Sequence, residues 1–100
     1  EILAPGLLWA ELRNVLLVAE RRGRVTDITS DAVMEAVDAL GIVVDHALPG
    51  PRVTRLARRH SLSAYDALYL ELAVRHGATL TTLDSALARA ARAEGIRVTP

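Results

Sequence analysis

The stretch Ser63-Ala64-Tyr65-Asp66-Ala67-Leu68-Tyr69-Leu70-Glu71-Leu72-Ala73 decides how this chain of 100 residues is organised. From Ala64 to Val74, apolar residues occupy nearly every face of a helix, which is typical of a helix packed on all sides. Asp66 lies inside this run, and a carboxylate is rarely buried unpaired because its desolvation is costly. The sequence therefore predicts a hydrogen-bond donor, a metal ion or a water-filled cleft beside Asp66.

Two interpretations of Asp66 stay open at this point. In the first, Ser63 caps the helix and Asp66, three residues on, is the acid of a capping box, where the helix dipole favours negative charge. In the second, Asp66 belongs to a site that other acids of the chain complete.

Composition limits the classes of protein that remain. With 51% hydrophobic residues the chain is globular, and its length predicts a single domain over residues 1–100. No apolar run is long enough for a membrane span. The absence of cysteine excludes disulfides and thiolate metal sites and fits a cytoplasmic protein, so any metal would bind oxygen or histidine. Because the net charge is zero, a polyanion would need a local basic patch.

Outward from the central stretch, the chain alternates between helical and strand patterns. Helices are predicted from Leu7 to Arg22, from Thr29 or Ser30 to Leu40, from Pro51 through Arg59, and over 63–76 and 84–94; strands are predicted over 42–46, 78–83 and 96–99. Strand, helix and strand with short loops predict a parallel sheet covered by helices, an α/β fold. Since three strands are few for such a sheet and residues before Leu7 resemble an approach to a helix, we expect a further strand before Glu1.

The third predicted helix carries a stripe of cations. Arg52, Arg55 and Arg59 recur at three- and four-residue spacing on its outer side. Such a stripe is usually a solvated face, and contact with phosphate is the alternative.

Other acids could join Asp66. Asp84 follows a predicted strand at the carboxyl end of the sheet, where ligands bind in open parallel sheets, although an N-cap role is the alternative. Thr82 precedes it by two positions. Glu11 and Asn14 share a face of the first helix and could equally be exposed surface residues. Taken together, these side chains form the oxygen-rich ligand set that Mg²⁺ or Mn²⁺ prefers.

Three motifs in this order resemble the PIN domain of VapC-type toxins from bacterial toxin–antitoxin modules. They are Trp9-Ala10-Glu11-Leu12-Arg13-Asn14-Val15-Leu16, Ser63-Ala64-Tyr65-Asp66-Ala67-Leu68-Tyr69, and Thr82-Leu83-Asp84 with a closing Gly95-Ile96-Arg97-Val98. The resemblance runs over essentially the whole chain, and the Ser-Ala-Tyr-Asp-Ala-Leu-Tyr run is its most specific part.

The resemblance implies a three-layer α/β/α domain with a parallel sheet that hydrolyses RNA phosphodiesters as a magnesium- or manganese-dependent endoribonuclease. Of the four acids in the family's site, Glu11, Asp66 and Asp84 match three, with Thr82 and Asn14 in support; Asp66 and Asp84 would hold the metal, with Glu11 bound directly or through water. The first acid, at the end of an N-terminal strand, has no counterpart here. Whether these 100 residues hydrolyse RNA without that acid is left open by the resemblance.

The resemblance also implies RNA as substrate, a cognate antitoxin protein as partner and a homodimer. Arg13, beside Glu11, is a candidate for contact with RNA phosphate or for an ion pair. The alternative function is a catalytically incomplete PIN-like module that binds antitoxin through apolar residues of the first helices, Leu7, Leu8, Val15 and Val18. A nucleotide-binding flavodoxin-like domain is disfavoured because no glycine-rich phosphate loop is present.

The three histidines are assigned structural roles. They lie at a strand end and at two helix ends without the spacing of a histidine metal motif. Cations are favoured near helix C-termini, so surface or capping positions are expected for His46, His60 and His76.

Overall fold

Five helices and four short strands follow one another along residues 1–100, all of which the computed structural model describes. Their bounds are β1 (Leu3–Pro5), α1 (Leu7–Arg21), α2 (Asp27–Asp38), β2 (Val43–Asp45), α3 (Gly50–His60), α4 (Ala64–His76), β3 (Leu80–Thr81), α5 (Ser85–Ala93) and β4 (Val98–Thr99). The chain divides into two units, residues 1–46 and residues 47–100. None of the helices is long and apolar enough to cross a membrane.

The first unit is a parallel strand pair with two helices in the connection. β1 pairs with β2 so that Leu3 lies opposite Val43 and Pro5 opposite Asp45. The residues before Leu7, interpreted from the sequence as the approach to a helix, also form a strand, β1, in addition to the three predicted strands. A three-residue strand that ends at a proline has no periodicity of its own, and only its pairing with a segment 40 residues away defines it.

The second helix begins earlier than predicted. Thr26, in an extended conformation, caps α2 by accepting a hydrogen bond from the Thr29 N–H at 3.2 Å. Thr29 and Ser30 therefore lie inside the helix, and the prediction that one of them caps it is wrong. All three residues are of types that cap helices well, so composition alone did not distinguish them.

The second unit combines a helical pair with a strand–helix–strand motif. A connection of three residues, from Ser61 to Ser63, joins α3 to α4, and these helices pack against each other. β3, α5 and β4 follow, with the two strands parallel and Leu80 opposite Val98. This confirms the predicted parallel arrangement and the α/β class, although each strand is only two residues long.

Leucines and alanines form the core of the second unit. The core cluster consists of Leu56, Ala67, Leu70, Ala73, Leu80, Leu87, Ala90 and Ala91. Alanine at the contact positions of α4 and α5 allows close approach of the two helices, and Leu70 is fully buried between them and their neighbours.

The central helix α4 is buried less evenly than its composition predicts. Tyr65 is 64% exposed and Val74 is 41% exposed, so the expectation of a helix packed on all sides is wrong. The buried acid of this helix is Glu71, at 2% exposure, whereas Asp66 is half-buried.

Candidate functional site

Asp66 lies in the first turn of α4 with its carboxylate unengaged. The Ser63 hydroxyl caps the helix by accepting a hydrogen bond from the Asp66 N–H at 3.1 Å. The Asp66 carboxylate makes no hydrogen bond or ion pair, so the reciprocal bond of a capping box is absent. A half-buried carboxylate at the positive end of a helix dipole is thus left free to bind a cation or a donor.

Asp84 and Thr82 form one local structure at the start of α5. Asp84 caps the helix, since its Oδ2 accepts a hydrogen bond from the Leu87 N–H at 2.7 Å. The Thr82 hydroxyl accepts a hydrogen bond from the Asp84 N–H at 3.0 Å. The N-cap interpretation of Asp84 is therefore right, and its second oxygen, Oδ1, has no donor within the protein.

The topology of the second unit directs both acids toward one end of β3. α4 runs into β3 through Gly77–Thr79, and α5 leaves β3 through Thr82–Asp84. Because short connections reverse the chain at each end of a strand, the N-terminal ends of α4 and α5 both face the carboxyl end of β3. Asp66 and Asp84 lie at those N-terminal ends, which is the edge where ligands bind in parallel α/β folds.

Glu11, Asn14 and Arg13 lie on α1 in the first unit. Glu11 and Asn14 are both exposed, three residues apart on the helix. Arg13 stacks on the Trp9 ring, with its guanidinium carbon 3.9 Å from the ring centroid, and donates a hydrogen bond to the Trp9 carbonyl at 3.2 Å. Within neither unit do three acidic or histidine side chains come together as a metal-binding group.

Sequence reasoning missed a buried ion pair on α4. Arg75 donates to both carboxylate oxygens of Glu71, from Nε at 2.8 Å and from a terminal nitrogen at 3.1 Å. Such a bidentate pair compensates the burial of a carboxylate. The spacing of Glu71 and Arg75, four residues apart on a helix, was the available signal.

A second ion pair connects the ends of α3 and α5. His60 Nε2 lies 2.7 Å from Glu94 Oε2, and Arg59 donates to the same oxygen at 2.9 Å. The hydrogen bonds from His60 and then from Arg59 hold the pKa of Glu94 below its ordinary value. His60, predicted as a surface or capping residue, is instead largely buried and joins two helices.

Charge is divided unequally between the two units. Residues 1–46 carry eight acids and four arginines, whereas residues 47–100 carry four acids and eight arginines. The zero net charge of the chain therefore conceals a basic half, which is the kind of local concentration that a polyanion requires.

Comparison with known proteins finds a matching family and named relatives. The profile of the PIN domain family matches residues 1–93. Ribonuclease VapC1 of Mycobacterium tuberculosis is 38% identical over 91 residues, covering 87% of this chain and 65% of the relative. Ribonuclease VapC3 of the same organism is 37% identical over 87 residues, covering 87% of this chain and 63% of the relative. The chain thus spans just under two thirds of these curated relatives, and no solved structure matches it significantly.

Proposed function

Since this chain belongs to the PIN domain family, we propose that its protein is an endoribonuclease that hydrolyses RNA phosphodiesters with the help of a divalent metal ion. The names of its VapC1 and VapC3 relatives support ribonuclease activity. The observation that carries the proposal is the Asp66 carboxylate, which is half-buried at a helix N-terminus and has no partner in the protein.

The donor chemistry of the chain fits a hard cation. Asp66 offers both carboxylate oxygens and Asp84 offers Oδ1 without protein donors, and the chain has no cysteine to attract a softer metal. Asp66 and Asp84 would hold Mg²⁺ or Mn²⁺. The further role of Glu11, directly or through water, rests on the family likeness alone. Such an ion, when bound, lowers the pKa of a water molecule for attack on phosphorus and neutralises phosphate charge.

The chain's own residues hold the site in place. The capping bond to the Leu87 N–H fixes the Asp84 side chain, and the Thr82 hydroxyl fixes its backbone. Because the Thr82 oxygen accepts from Asp84, its own proton is available to a phosphate or carboxylate oxygen. Asn14 supports Glu11 from the next turn of α1, and Arg13 supplies positive charge for the RNA backbone.

The proposed setting is that of a toxin–antitoxin module. RNA is the substrate, a cognate antitoxin protein is the inhibitor, and the toxin acts in the cytoplasm as a homodimer. All of these roles rest on the likeness to the VapC relatives.

The decisive experiment compares Asp66→Asn with Asp31→Asn in hydrolysis of a labelled hairpin RNA, with Mg²⁺, with Mn²⁺ and with EDTA. Asp31 is an exposed acid of α2 and serves as the control. We expect Asp66→Asn to lose roughly 100-fold or more of the metal-dependent rate and Asp31→Asn to keep it. Full activity of Asp66→Asn with metal would refute the assignment.

Substitutions at Asp84 separate its two roles. Asparagine caps helices as well as aspartate does but removes the charged ligand, whereas alanine removes both functions. We therefore expect Asp84→Asn to lose RNA hydrolysis at unchanged stability, and Asp84→Ala to lose about 1 kcal/mol of stability as well. Equal activity of Asp84→Asn and wild type would remove Asp84 from the proposed site.

The second candidate function is an antitoxin-binding module without catalysis. It is favoured by apolar side chains that α1 leaves exposed, Trp9 at 63%, Val15 at 65% and Leu17 at 42%. Absence of RNA hydrolysis with either metal, combined with loss of antitoxin binding on Val15→Asp, would support this function instead.

A further inference from the structure

A groove on the second unit gathers four arginines outside the proposed metal site. Its volume is about 240 Å³, and Arg52, Arg55 and Arg59 of α3 line it together with Arg75 of α4. We call this cavity the arginine groove. It lies within residues 47–100, the basic half of the chain.

Two of the four arginines are neutralised by carboxylates that also line the groove. Arg75 is bound by Glu71, which is buried, and Arg59 is bound by Glu94. Both carboxylates that line the groove are therefore paired with an arginine, and their negative charge is compensated.

Arg52 and Arg55 have no such partner. Both are exposed, neither makes an ion pair or a side-chain hydrogen bond, and they lie three residues apart on α3. Arg52 is in the first turn of α3, which contains no acid and where the helix dipole disfavours a cation. Neither the helix nor a neighbouring carboxylate therefore accounts for these two charges, and an anion would satisfy both.

The remaining walls of the groove are apolar. Leu56 of α3 and Val74 of α4 line it beside the charged residues. A cavity with two free guanidinium groups beside an aliphatic surface suits a phosphate that is attached to a sugar and base better than it suits a free inorganic anion.

We propose that the arginine groove binds a nucleotide unit of the RNA strand, with its phosphate on Arg52 and Arg55 and its sugar and base on Leu56 and Val74. This inference rests on the proposed function. Asp66 precedes Glu71 by five residues and Arg75 by nine on the same helix, so at ~100° per residue these two groove residues lie about 8–14 Å further along the axis of α4 and roughly 140–180° around it, on the side away from Asp66. An RNA strand that reaches both the groove and Asp66 must therefore pass around α4.

The test measures RNA binding without hydrolysis. A fluorescein-labelled single-stranded RNA of twelve or so nucleotides is titrated with the protein in EDTA at several salt concentrations, and anisotropy gives Kd. Arg52→Gln/Arg55→Gln is compared with Arg58→Gln/Arg89→Gln, which removes the same charge from exposed arginines that do not line the groove. Circular dichroism checks that both double variants are folded.

We expect the groove variant to bind about tenfold more weakly and its slope of log K against log salt to fall by about 0.7–1.4, for one or two lost phosphate contacts on a single strand. The control variant should keep the wild-type slope. Equal losses in the two variants would mean a general charge effect and would overturn the proposal, as would unchanged binding in both.

Two further arms identify the occupant. Adenosine monophosphate should compete with the RNA in wild type at millimolar concentrations and not in the groove variant. If the groove variant instead keeps RNA binding and loses binding of a glutamate-rich peptide, the groove takes an acidic protein segment and the RNA assignment is wrong.

Failure of the groove assignment and failure of the proposed function give different results. If the groove variant keeps kcat for RNA hydrolysis but has a raised KM, both the function and the groove stand. If it keeps kcat and KM, the groove assignment fails alone. If wild type binds RNA through the groove but never cleaves it with Mg²⁺ or Mn²⁺, the ribonuclease assignment fails alone.

Discussion

The two units of this chain stabilise themselves in different ways. In residues 47–100, α4 alone buries five side chains and α5 buries four, and most of these belong to one continuous core. In residues 1–46, α1 buries no side chain and α2 buries only Ser30. A helix can therefore be well formed and strongly apolar, as α1 is, while contributing little to a core of its own.

The candidate functional residues are also divided unequally between the two units. The basic unit with the larger core carries Asp66, Asp84 and the arginine groove, whereas the acidic unit carries Glu11. Well-packed helices and strands hold ligands more accurately than weakly packed ones. Because the second unit also has the larger core, we expect substitutions there to lower the free energy of unfolding most.

The largest expected effect is that of Leu70→Ala. Leu70 is fully buried in the core of the second unit, so the substitution should lower the free energy of unfolding by about 2–5 kcal/mol. Val15→Ala, at an exposed position of α1, should change it by less than ~0.5 kcal/mol. Urea denaturation followed by circular dichroism measures both; similar losses would erase the contrast between the units.

The next effect is that of Glu94→Gln, which breaks the ion pair between α3 and α5. At pH 7 we expect a loss of about 1–2 kcal/mol in the free energy of unfolding. Because the pKa of Glu94 is lowered by folding, its stabilisation is present above its ordinary value near 4.5 and is lost as pH falls through the lower pKa of the folded state. The difference between variant and wild type should therefore shrink on acidification.

The control for that measurement is Glu35→Gln. Glu35 is an exposed acid of α2 in the first unit. Because it is exposed, its substitution should change the free energy of unfolding by less than ~0.5 kcal/mol. A loss in Glu94→Gln that does not depend on pH would show that packing, rather than charge, carries the contact.

Matched helix caps test whether the two units unfold together. Thr26 caps α2 in the first unit and Ser63 caps α4 in the second, each through one hydrogen bond to the backbone. Alanine at either position should cost about 1 kcal/mol. One shared unfolding transition, shifted equally by both variants in calorimetry, would support the predicted single domain over residues 1–100; two transitions shifted separately would refute it.

The last expected effect has the opposite sign. The Ser30 hydroxyl is buried on α2 and has no hydrogen-bond partner. Removing an unsatisfied buried hydroxyl, and introducing the best helix former, should stabilise the protein by about 1 kcal/mol. A lowered urea midpoint for Ser30→Ala would mean that the hydroxyl stabilises the folded state and would contradict this prediction.

Four of the five helices were predictable because each has local signals, and α2, whose cap was misassigned, is the exception. α1 and α4 lie within one residue of their predicted starts, since Pro5-Gly6 and Ser63 mark helix beginnings and Gly77 marks an end. Strand lengths were not predictable in this way. β1 exists only through its parallel partner β2, and the predicted strand over 78–83 is reduced to the two residues that pair with β4.

The candidate site was partly readable from the sequence. The positions of Asp66 and Asp84 at helix beginnings follow from Ser63 and from the strand before Asp84. What the sequence did not give is which acid of α4 is buried. The answer depends on Arg75, one turn after Glu71, because a bidentate partner lets a carboxylate leave water while Asp66, without one, stays partly hydrated.

The short connection between α3 and α4 has a consequence for the route of folding. Its three residues make the contacts of this helical pair local in sequence, with Ser61 in a left-handed conformation that ends α3. The β1–β2 pairing must instead close a loop of 40 residues, and the β3–β4 pairing one of 18. Local contacts form fastest, because closing a short loop costs less chain entropy than closing a long one. The helical pair α3–α4 should therefore appear first during refolding and the β1–β2 ladder last, so amide protons of the first unit would acquire protection after those of the second.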